Sequence, residues 1–371
     1  MLNKLSIFKG KKVLVTGNTG FKGSWMTMML LHLQAEIVGY ALEPEVNGIP
    51  MYDQLKLNKK IKQYINDIRS YEDIKKCIKE TKPDIIFHLA AQSLVRESYV
   101  KPLETIDINV MGTVNLLEAV RELKFETKIV CITSDKSYQN QEWLFGYREE
   151  DALGGHDPYS ASKAAAEIVI SSYRDSFFKV EQANSPKVKL ASARAGNVIG
   201  GGDWADDRIV PDCIRSLEKN ENIFIRNPKA TRPWQHVLEP TGGYLLLGAK
   251  MLQDESKIDV YSSAFNFGPL ILSNQSVKAL VDEIIINWGK GEWSHDAREN
   301  VHEASLLNLT IDKAFHLLEW YPIWDFKEDV KYTVEWYKEQ FEGTDMFDFT
   351  HQQIVKYLKE YELRIKNIIT S

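Results

Sequence analysis

The sequence of 371 residues is poor in cysteine, in long apolar runs and in excess positive charge. Its three cysteines, Cys77, Cys131 and Cys213, are widely spaced and form no CxxC pair. This disfavours a disulfide framework and a cysteine-rich zinc site, and it favours a reducing cytoplasm. The most apolar helical run, residues 25–33, is about half as long as a membrane span, and residues 1–12 lack the apolar core of a signal peptide. We therefore expect a cytoplasmic protein without a membrane segment.

Acidic residues outnumber basic ones, with 52 Asp and Glu against 46 Lys and Arg, for a net charge of −6. A broad nucleic-acid surface needs a basic face to meet phosphates, so nucleic acid is not an expected partner. The sequence also lacks repeats and low-complexity linkers, and no metal site is predicted.

What the sequence does contain is a regular alternation of apolar and amphipathic segments, with hydrophobic residues at 44%. This alternation predicts an α/β fold, a Rossmann-type doubly wound parallel sheet flanked by helices. Predicted strands are 12–16, 36–41, 84–89, 128–133 and 189–195, and predicted helices are 23–33, 71–81, 103–123 and 159–178. The alternation fades after residue 195. We expect an NAD-binding Rossmann domain over residues 1–195, with part of 236–268 returning to it, and a smaller mixed α/β lobe over 196–371 that mainly binds substrate.

The first predicted strand runs directly into a glycine loop. Gly17, Gly20 and Gly23 give the spacing GxxGxxG and open onto a helix. Such a loop lets backbone N–H groups approach a pyrophosphate, whose charge then lies at a helix N-terminus. The tip of the second strand has Glu43 but no nearby arginine for an extra phosphate, which favours NAD over NADP. Glu43 either reaches the ribose or is simply solvated.

A catalytic group is predicted around residues 134–163. Tyr159 and Lys163 lie at i and i+4, on one face of a helix, where the ammonium should favour the phenolate. Such a tyrosine can accept a proton from a sugar hydroxyl while hydride leaves the same carbon. Ser134 closes a predicted strand and could bond both the sugar oxygen and Tyr159. Asp135 and Lys136 follow, either as the acid and base that an elimination needs or as a solvated charge pair.

These motifs together resemble the extended short-chain dehydrogenase/reductase family and, within it, the CDP-glucose 4,6-dehydratases. The resemblance covers about residues 11–337. Its motifs are 15–25 (VTGNTGFKGSW), 87–92 (FHLAAQ), 133–136 (TSDK), Tyr159 with Lys163, 194–204 (RAGNVIGGGDW) and 232–240 (RPWQHVLEP). The glycine loop and the Tyr-Lys pair mark the wider family, whereas the Asp-Lys pair and the last motif indicate the CDP-sugar branch.

The resemblance implies a reaction on CDP-glucose that uses NAD and regenerates it. Carbon 4 is oxidised, water is lost across carbons 5 and 6 with Asp135 as the acid, and hydride returns to carbon 6. Lys136 stands where related dTDP-sugar dehydratases carry a glutamate, so the carbon-5 base remains open. A neutral Lys136 could be that base, or its cation could stabilise the enolate. Asn18 stands where the family usually has histidine.

The resemblance also implies which residues bind the cofactor and the substrate. At NAD we expect Gly17, Asn18, Gly20, Phe21, Lys22, Gly23, Asp67, Ile68, Leu89, Ala90, Ala91, Tyr159 and Lys163. At the substrate we expect Asn197, Arg208, Arg232 and Trp234. Four of these residues also have an explanation that involves no ligand: a solvated Lys22, an acid near a helix N-terminus for Asp67, a surface ion pair for Arg208 and packing for Trp234.

Two other functions remain open on sequence grounds. A nucleotide-sugar 4-epimerase or reductase of the same fold has small uncharged residues where this sequence has Asp135 and Lys136. A non-catalytic NAD-binding module typically loses the tyrosine or the lysine. A homodimer is also predicted, because helices 103–123 and 159–178 carry apolar residues on more than one face and relatives pair such helices into a four-helix bundle.

Overall fold

A seven-stranded parallel sheet forms the centre of the protein. The structure is a computed structural model that describes residues 1–44, 49–178, 188–295 and 306–370. The strands are β1 (Lys12–Thr16), β2 (Glu36–Ala41), β3 (Lys62–Ile65), β4 (Ile85–His88), β5 (Thr127–Ile132), β6 (Val188–Ala195) and β7 (Ala264–Phe267). Their spatial order is β7-β6-β5-β4-β1-β2-β3. This order confirms the Rossmann-type fold.

Both faces of the sheet are covered, because alternate strand residues enter different cores. Val13, Phe87 and Val130 belong to one hydrophobic cluster, whereas Leu14 and Ile86 belong to the other. Near-continuous apolar strands such as β4 are typical of parallel sheets buried on both sides. The helices are Leu2–Leu5, Phe21–His32, Met51–Gln54, Tyr71–Thr81, Val95–Val100, Pro102–Ile106, Gly112–Leu123, Pro158–Tyr173, Ile209–Glu218, Leu238–Gln253, Ile258–Tyr261, Val277–Trp288, Asp312–Leu318, Phe326–Phe341 and Met346–Thr370.

The predicted elements match the structure closely, with ends shifted by one or two residues, but some features were missed. The predicted helix 103–123 contains a π-helical turn at Asp107–Met111, and helix 159–178 ends in another at Arg174–Phe178. Strands β3 and β7 were not predicted. Three short pairs lie outside the main sheet: Val198–Ile199 with Gln235–His236, Thr231–Pro233 with Asn274–Ser276, and Ile223–Ile225 with Trp293–His295.

One hydrophobic cluster continues from the sheet into the C-terminal region. It contains Phe87 of β4 together with Trp320 and Trp336, which are both fully buried. Strand β7 lies at the edge of the main sheet beside β6. The hydrophobic core thus continues across residue 195, and the predicted division into two lobes there stays a prediction about function.

The described residues also bear on the expectations about membrane spans, metal sites and cysteines. No helix among them is long and apolar enough to cross a membrane. Within the described ranges, no group of three or more His, Cys, Asp or Glu side chains could hold a metal ion. Cys77, Cys131 and Cys213 are free and buried.

Asp329 provides a test of the C-terminal packing. It is fully buried, and burial followed by the charge of Glu239 raises its pKa well above the usual value. The folded protein thus binds a proton that the unfolded chain has lost above its ordinary pKa, so Asp329 lowers stability as pH rises from there. We expect Asp329→Asn to raise the free energy of unfolding increasingly with pH, by up to about 1.4 kcal/mol per pH unit until folded Asp329 ionises.

Urea unfolding of the variant and the parent across about pH 5 to pH 8 measures this difference. The matched control is Asp259→Asn, whose side chain is 72% exposed and pairs with Lys189. A gain that stays constant with pH would show that Asp329 is ionised in the folded protein.

Candidate active site

The three glycines of the loop between β1 and helix Phe21–His32 differ in backbone conformation and in the space that a Cβ would find. Gly17 has a φ of +71°, and a Cβ there would lie 2.7 Å from the backbone nitrogen of Ala90. A Cβ on Gly23 would lie 2.1 Å from the carbonyl oxygen of Gly17. Gly20 has an ordinary φ of −76°, and a Cβ there would meet only the Gly17 oxygen, at 3.5 Å. Space beside Gly20, at the start of the helix, therefore fits a pyrophosphate that approaches the backbone.

Cations gather beside this loop. Burial, then the positive charges of Arg208 and Lys163, lowers the pKa of Lys22 to about 8, against the opposing charges of Asp135 and Asp203. Burial also lowers the pKa of Lys163 to about 8, with Glu167 opposing. Groups that disfavour each other's charge are stabilised by an anion placed among them. This arrangement fits a diphosphate, and the contact of Lys22 with the cofactor stays a prediction.

Tyr159 lies in the first turn of helix Pro158–Tyr173. Asp157 caps this helix by accepting a hydrogen bond from the Ser160 backbone at 2.9 Å. Burial raises the pKa of the Tyr159 phenol to about 12, against the opposing effect of the Ser134 hydroxyl group. The expected net lowering by Lys163 is therefore wrong for this structure, because the cost of burying the phenolate outweighs the neighbouring donors and cations. Tyr159 holds its proton at neutral pH.

Asp135 and Lys136 lie directly after Ser134, in the short turn Asp135–Ser137. The Ser134 hydroxyl donates to Asp135 Oδ1 at 3.0 Å and accepts from the Lys136 backbone at 3.2 Å. Asp135 is 2% exposed, and burial raises its pKa even though Lys136, Ser134 and Arg232 oppose the shift. A raised pKa suits a buried carboxyl group to act as a general acid. The alternative of a solvated pair therefore does not apply to Asp135, while Lys136 is half-buried.

Gly196 makes room for the Asp135 carboxyl group. A Cβ at Gly196, just beyond β6, would lie 2.1 Å from Asp135 Oδ2. Asn197 follows, and its carbonyl oxygen accepts a hydrogen bond from the Gln235 backbone at 3.2 Å. The end of β6 thus lies against the end of β5, where a doubly wound sheet binds its ligands.

Among the predicted substrate residues, Arg208 faces the site. It donates to Asp203 Oδ2 at 2.8 Å and to Ser93 Oγ at 2.9 Å. Its charge opposes the rise that burial causes in the pKa of Tyr159. The ion pair exists, but it lies at the site rather than on a remote surface. The positive charge of Arg232 opposes the rise that burial causes in the pKa of Asp135. Trp234 is buried and donates its indole N–H to the Gln275 carbonyl at 3.0 Å, so packing explains it and a substrate contact stays a prediction.

Asn18 does not direct its side chain at the pyrophosphate space. It is fully buried, and its Nδ2 donates to Gln63 Oε1 at 2.6 Å, an oxygen that also accepts from the Tyr52 hydroxyl at 2.8 Å. Gly39 permits this, because a Cβ there would lie 2.4 Å from Asn18 Nδ2. The Asn18 side chain is therefore engaged inside the protein, and a contact between Asn18 and the cofactor stays a prediction.

The other predicted cofactor residues lie along the same edge of the sheet. The Asp67 carboxylate accepts from the Arg69 backbone and Nε, each at 2.9 Å, and Arg69 lowers its pKa. Ile68 packs against Gly112, where a Cβ would lie 2.8 Å from Ile68 Cγ2. Leu89, Ala90 and Ala91 follow β4 beside the glycine loop, and Phe21 begins its helix. Their contacts with the cofactor stay predictions.

Asn109 was missed by sequence reasoning. It lies in the π-helical turn Asp107–Met111, which directs its buried amide toward the catalytic helix. Its Nδ2 donates to Ser162 Oγ at 2.8 Å and to the Gln92 carbonyl at 3.0 Å. Asn109 therefore joins the loop after β4 to the helix that carries Tyr159 and Lys163. Turns of π-helix are frequent at functional sites, but no sequence signal marks them.

Comparison with known proteins places this geometry among nucleotide-sugar enzymes. Residues 14–333 match a family model described as GDP-mannose 4,6 dehydratase. CDP-glucose 4,6-dehydratase of Salmonella typhimurium strain LT2 is 44% identical over 360 residues, covering 96% of this chain and 99% of that protein.

Two solved structures share the fold. An epimerase from Methanothermobacter thermautotrophicus superposes with a TM-score of 0.78 at 23% identity, covering 92% of this chain and 96% of that one. A dTDP-glucose 4,6-dehydratase from Bacillus anthracis, solved in complex with NAD, gives a TM-score of 0.73 at 20% identity, covering 91% of this chain and 100% of that one.

Proposed function

Because the chain belongs to the GDP-mannose 4,6 dehydratase family, we propose that it is an NAD-dependent hydro-lyase that converts CDP-glucose to CDP-4-keto-6-deoxyglucose. The observation that carries the proposal is Asp135, a buried acid with a raised pKa that is hydrogen-bonded to Ser134. The Ser134 hydroxyl group and the Asp135 charge both act on the pKa of Tyr159, so the acid lies close to the residues of oxidation. The 44% identity with the Salmonella enzyme supports CDP as the carrier nucleotide.

The first step is oxidation at carbon 4. Tyr159 accepts the proton of the 4-hydroxyl group in its phenolate form, after its own phenolic proton has passed to solvent, and Ser134 hydrogen-bonds both the sugar oxygen and the phenol. The Lys163 and Arg208 cations stabilise the phenolate as it forms. NAD, when bound, supplies the hydride acceptor for carbon 4 and the hydride donor for carbon 6. The space beside Gly20 and the Lys22 ammonium would hold its pyrophosphate.

The second step is loss of water across carbons 5 and 6. A ketone at carbon 4 acidifies the proton on carbon 5, and Asp135 gives its proton to the leaving 6-hydroxyl group. Lys136 lies beside Asp135 and either removes the carbon-5 proton as a free amine or stabilises the enolate as a cation. Arg232 and Asn197 hold the sugar-nucleotide diphosphate, for which the planar guanidinium fork is suited.

The epimerase alternative predicts a different environment at residues 135 and 136. A 4-epimerase returns hydride to carbon 4 and needs no acid for a leaving hydroxyl group. The buried acid at residue 135 fits elimination, in which the leaving hydroxyl group needs a proton. Incubation with CDP-, dTDP-, UDP- and GDP-glucose separates these functions, with the keto sugar read by its absorbance in alkali. We expect the keto sugar from CDP-glucose, whereas a C-4 epimer without a keto sugar would favour the alternative.

We further propose that the product is a precursor of deoxy- and dideoxyhexoses of surface polysaccharides, made in the cytoplasm. Three buried free thiols support a reducing compartment.

The protein should be a homodimer. Apolar side chains are exposed on the neighbouring helices Pro102–Ile106 and Pro158–Tyr173, including Leu103 at 83% and Ile168 at 58%. Such a surface is typical of a helix-bundle interface. We expect sedimentation equilibrium to give a dimer at micromolar concentration and Leu103→Glu with Ile168→Glu to give a monomer.

Leu363→Glu is the matched control, because Leu363 is 67% exposed but lies on the C-terminal helix. A parent protein that sediments as a monomer would contradict the dimer, and a monomer produced by Leu363→Glu would place the interface elsewhere.

A further inference from the structure

Glu167 is a buried carboxylate on the catalytic helix that takes no part in the chemistry described above. It lies one turn beyond Lys163 and is 2% exposed. Oε1 accepts a short hydrogen bond from the Thr133 hydroxyl group, at the end of β5. Oε2 accepts from Ser192 Oγ and from Arg194 Nη2 of β6, each at 2.8 Å. One side chain therefore joins the catalytic helix to both strands whose ends form the site.

Arg194 extends this network to the other side of the reacting residues. Its Nη1 donates to the Tyr138 hydroxyl at 2.7 Å and to the Glu149 carbonyl at 2.8 Å. The Tyr138 hydroxyl donates in turn to Asn266 Oδ1 of β7 at 2.8 Å. The network thus holds residues 134–136 on both sides, through Thr133 before them and through Tyr138 after them.

We propose that the Glu167–Arg194 ion pair is a positioning element that sets Asp135 and Lys136, the elimination residues, relative to Tyr159 and Lys163, the oxidation residues. The inference rests on the proposed function. Its geometric basis is that Glu167 shares the helix of the oxidation residues, while Thr133 directly follows β5 and Arg194 lies in β6. These two strands lead into Ser134 and Gly196. Gly196 is the residue against which the Asp135 carboxyl group packs.

Stability alone is a weak reason for such a pair. Replacing a buried ion pair by apolar side chains of similar volume is often neutral or stabilising, because desolvation offsets the attraction. Electrostatics adds a second link to the site, since the Glu167 charge opposes the effect of burial on the pKa of Lys163. Loss of that charge makes the Lys163 cation less favourable.

The test uses Glu167→Gln, which keeps the shape but removes the charge, and Thr133→Val, which removes one hydrogen bond at constant size. A misplacement of about 1 Å can cost roughly 10²-fold in rate, so we expect kcat for Glu167→Gln to fall by about 10–100-fold with KM nearly unchanged. We also expect NADH absorbance to build up during turnover, because oxidation and elimination lose their alignment. Thr133→Val should show the same pattern more weakly.

Glu328→Gln is the matched control, because Glu328 forms an ion pair with Arg364 at 2.6 Å in the C-terminal region. It should lose stability without any NADH build-up. A fall in kcat for Glu167→Gln with no NADH build-up would overturn the positioning role. If that variant does not fold, Thr133→Val decides by the same readouts. A parent enzyme that makes no keto sugar would instead contradict the proposed function.

Discussion

Replacing Tyr159 by phenylalanine is expected to lower kcat by about 10²–10⁴-fold, the usual contribution of general acid–base catalysis. The ring is buried, so phenylalanine keeps the packing while removing the proton acceptor of the first step. The melting temperature and NAD binding, followed by tryptophan fluorescence, should change little. Rates are measured from the keto sugar formed from CDP-glucose.

Tyr173→Phe is the control for this change, because Tyr173 ends the same helix and donates to Glu118 Oε2 at 3.1 Å. It should retain the parent rate. Turnover of Tyr159→Phe within a few-fold of the parent would mean that another group accepts the 4-hydroxyl proton.

Asp135→Asn is expected to separate oxidation from elimination. The amide keeps the size and can still accept from Ser134, but it has no proton for the leaving 6-hydroxyl group. The protein should fold normally, because the buried carboxyl already has a raised pKa and a neutral side chain suits the site. Elimination should slow by about 10²–10⁴-fold while Tyr159, Ser134 and Lys163 still act, so NADH absorbance should rise after mixing with CDP-glucose.

Lys136→Gln completes this comparison through solvent deuterium at carbon 5. If Lys136 is the base, its variant stops exchange at carbon 5, whereas Asp135→Asn leaves exchange intact. A parent rate of product formation by Asp135→Asn without NADH build-up would remove Asp135 as the acid. Lys136 would then be the next candidate.

The fold could be predicted where apolar periodicity was strong. Strands β1, β4 and β5 are buried on both faces and stand out as apolar runs. Strand β3 lies at the sheet edge and is only partly buried, so its Lys-Gln-Tyr-Ile sequence has no apolar run to find. Strand β7 follows a long region without alternating elements and is only four residues long.

The site could be predicted as a set of residues but not as an environment. Glycine spacing and the Tyr159–Lys163 pair follow from local geometry, which a sequence displays directly. The raised pKa of Tyr159 and the turn of Asn18 toward Gln63 depend on burial and on partners far along the chain. The same holds for the buried indole of Trp234, which donates to the carbonyl of Gln275, 41 residues along the chain.

The most direct test of the dehydratase mechanism is the fate of deuterium placed on carbon 4 of CDP-glucose. The proposed sequence removes that hydrogen as hydride and returns it to carbon 6, so the product should carry the deuterium in its methyl group. Mass spectrometry and NMR of the product locate the label. Deuterium that remains on carbon 4 of an epimerised hexose would contradict elimination and establish the epimerase alternative.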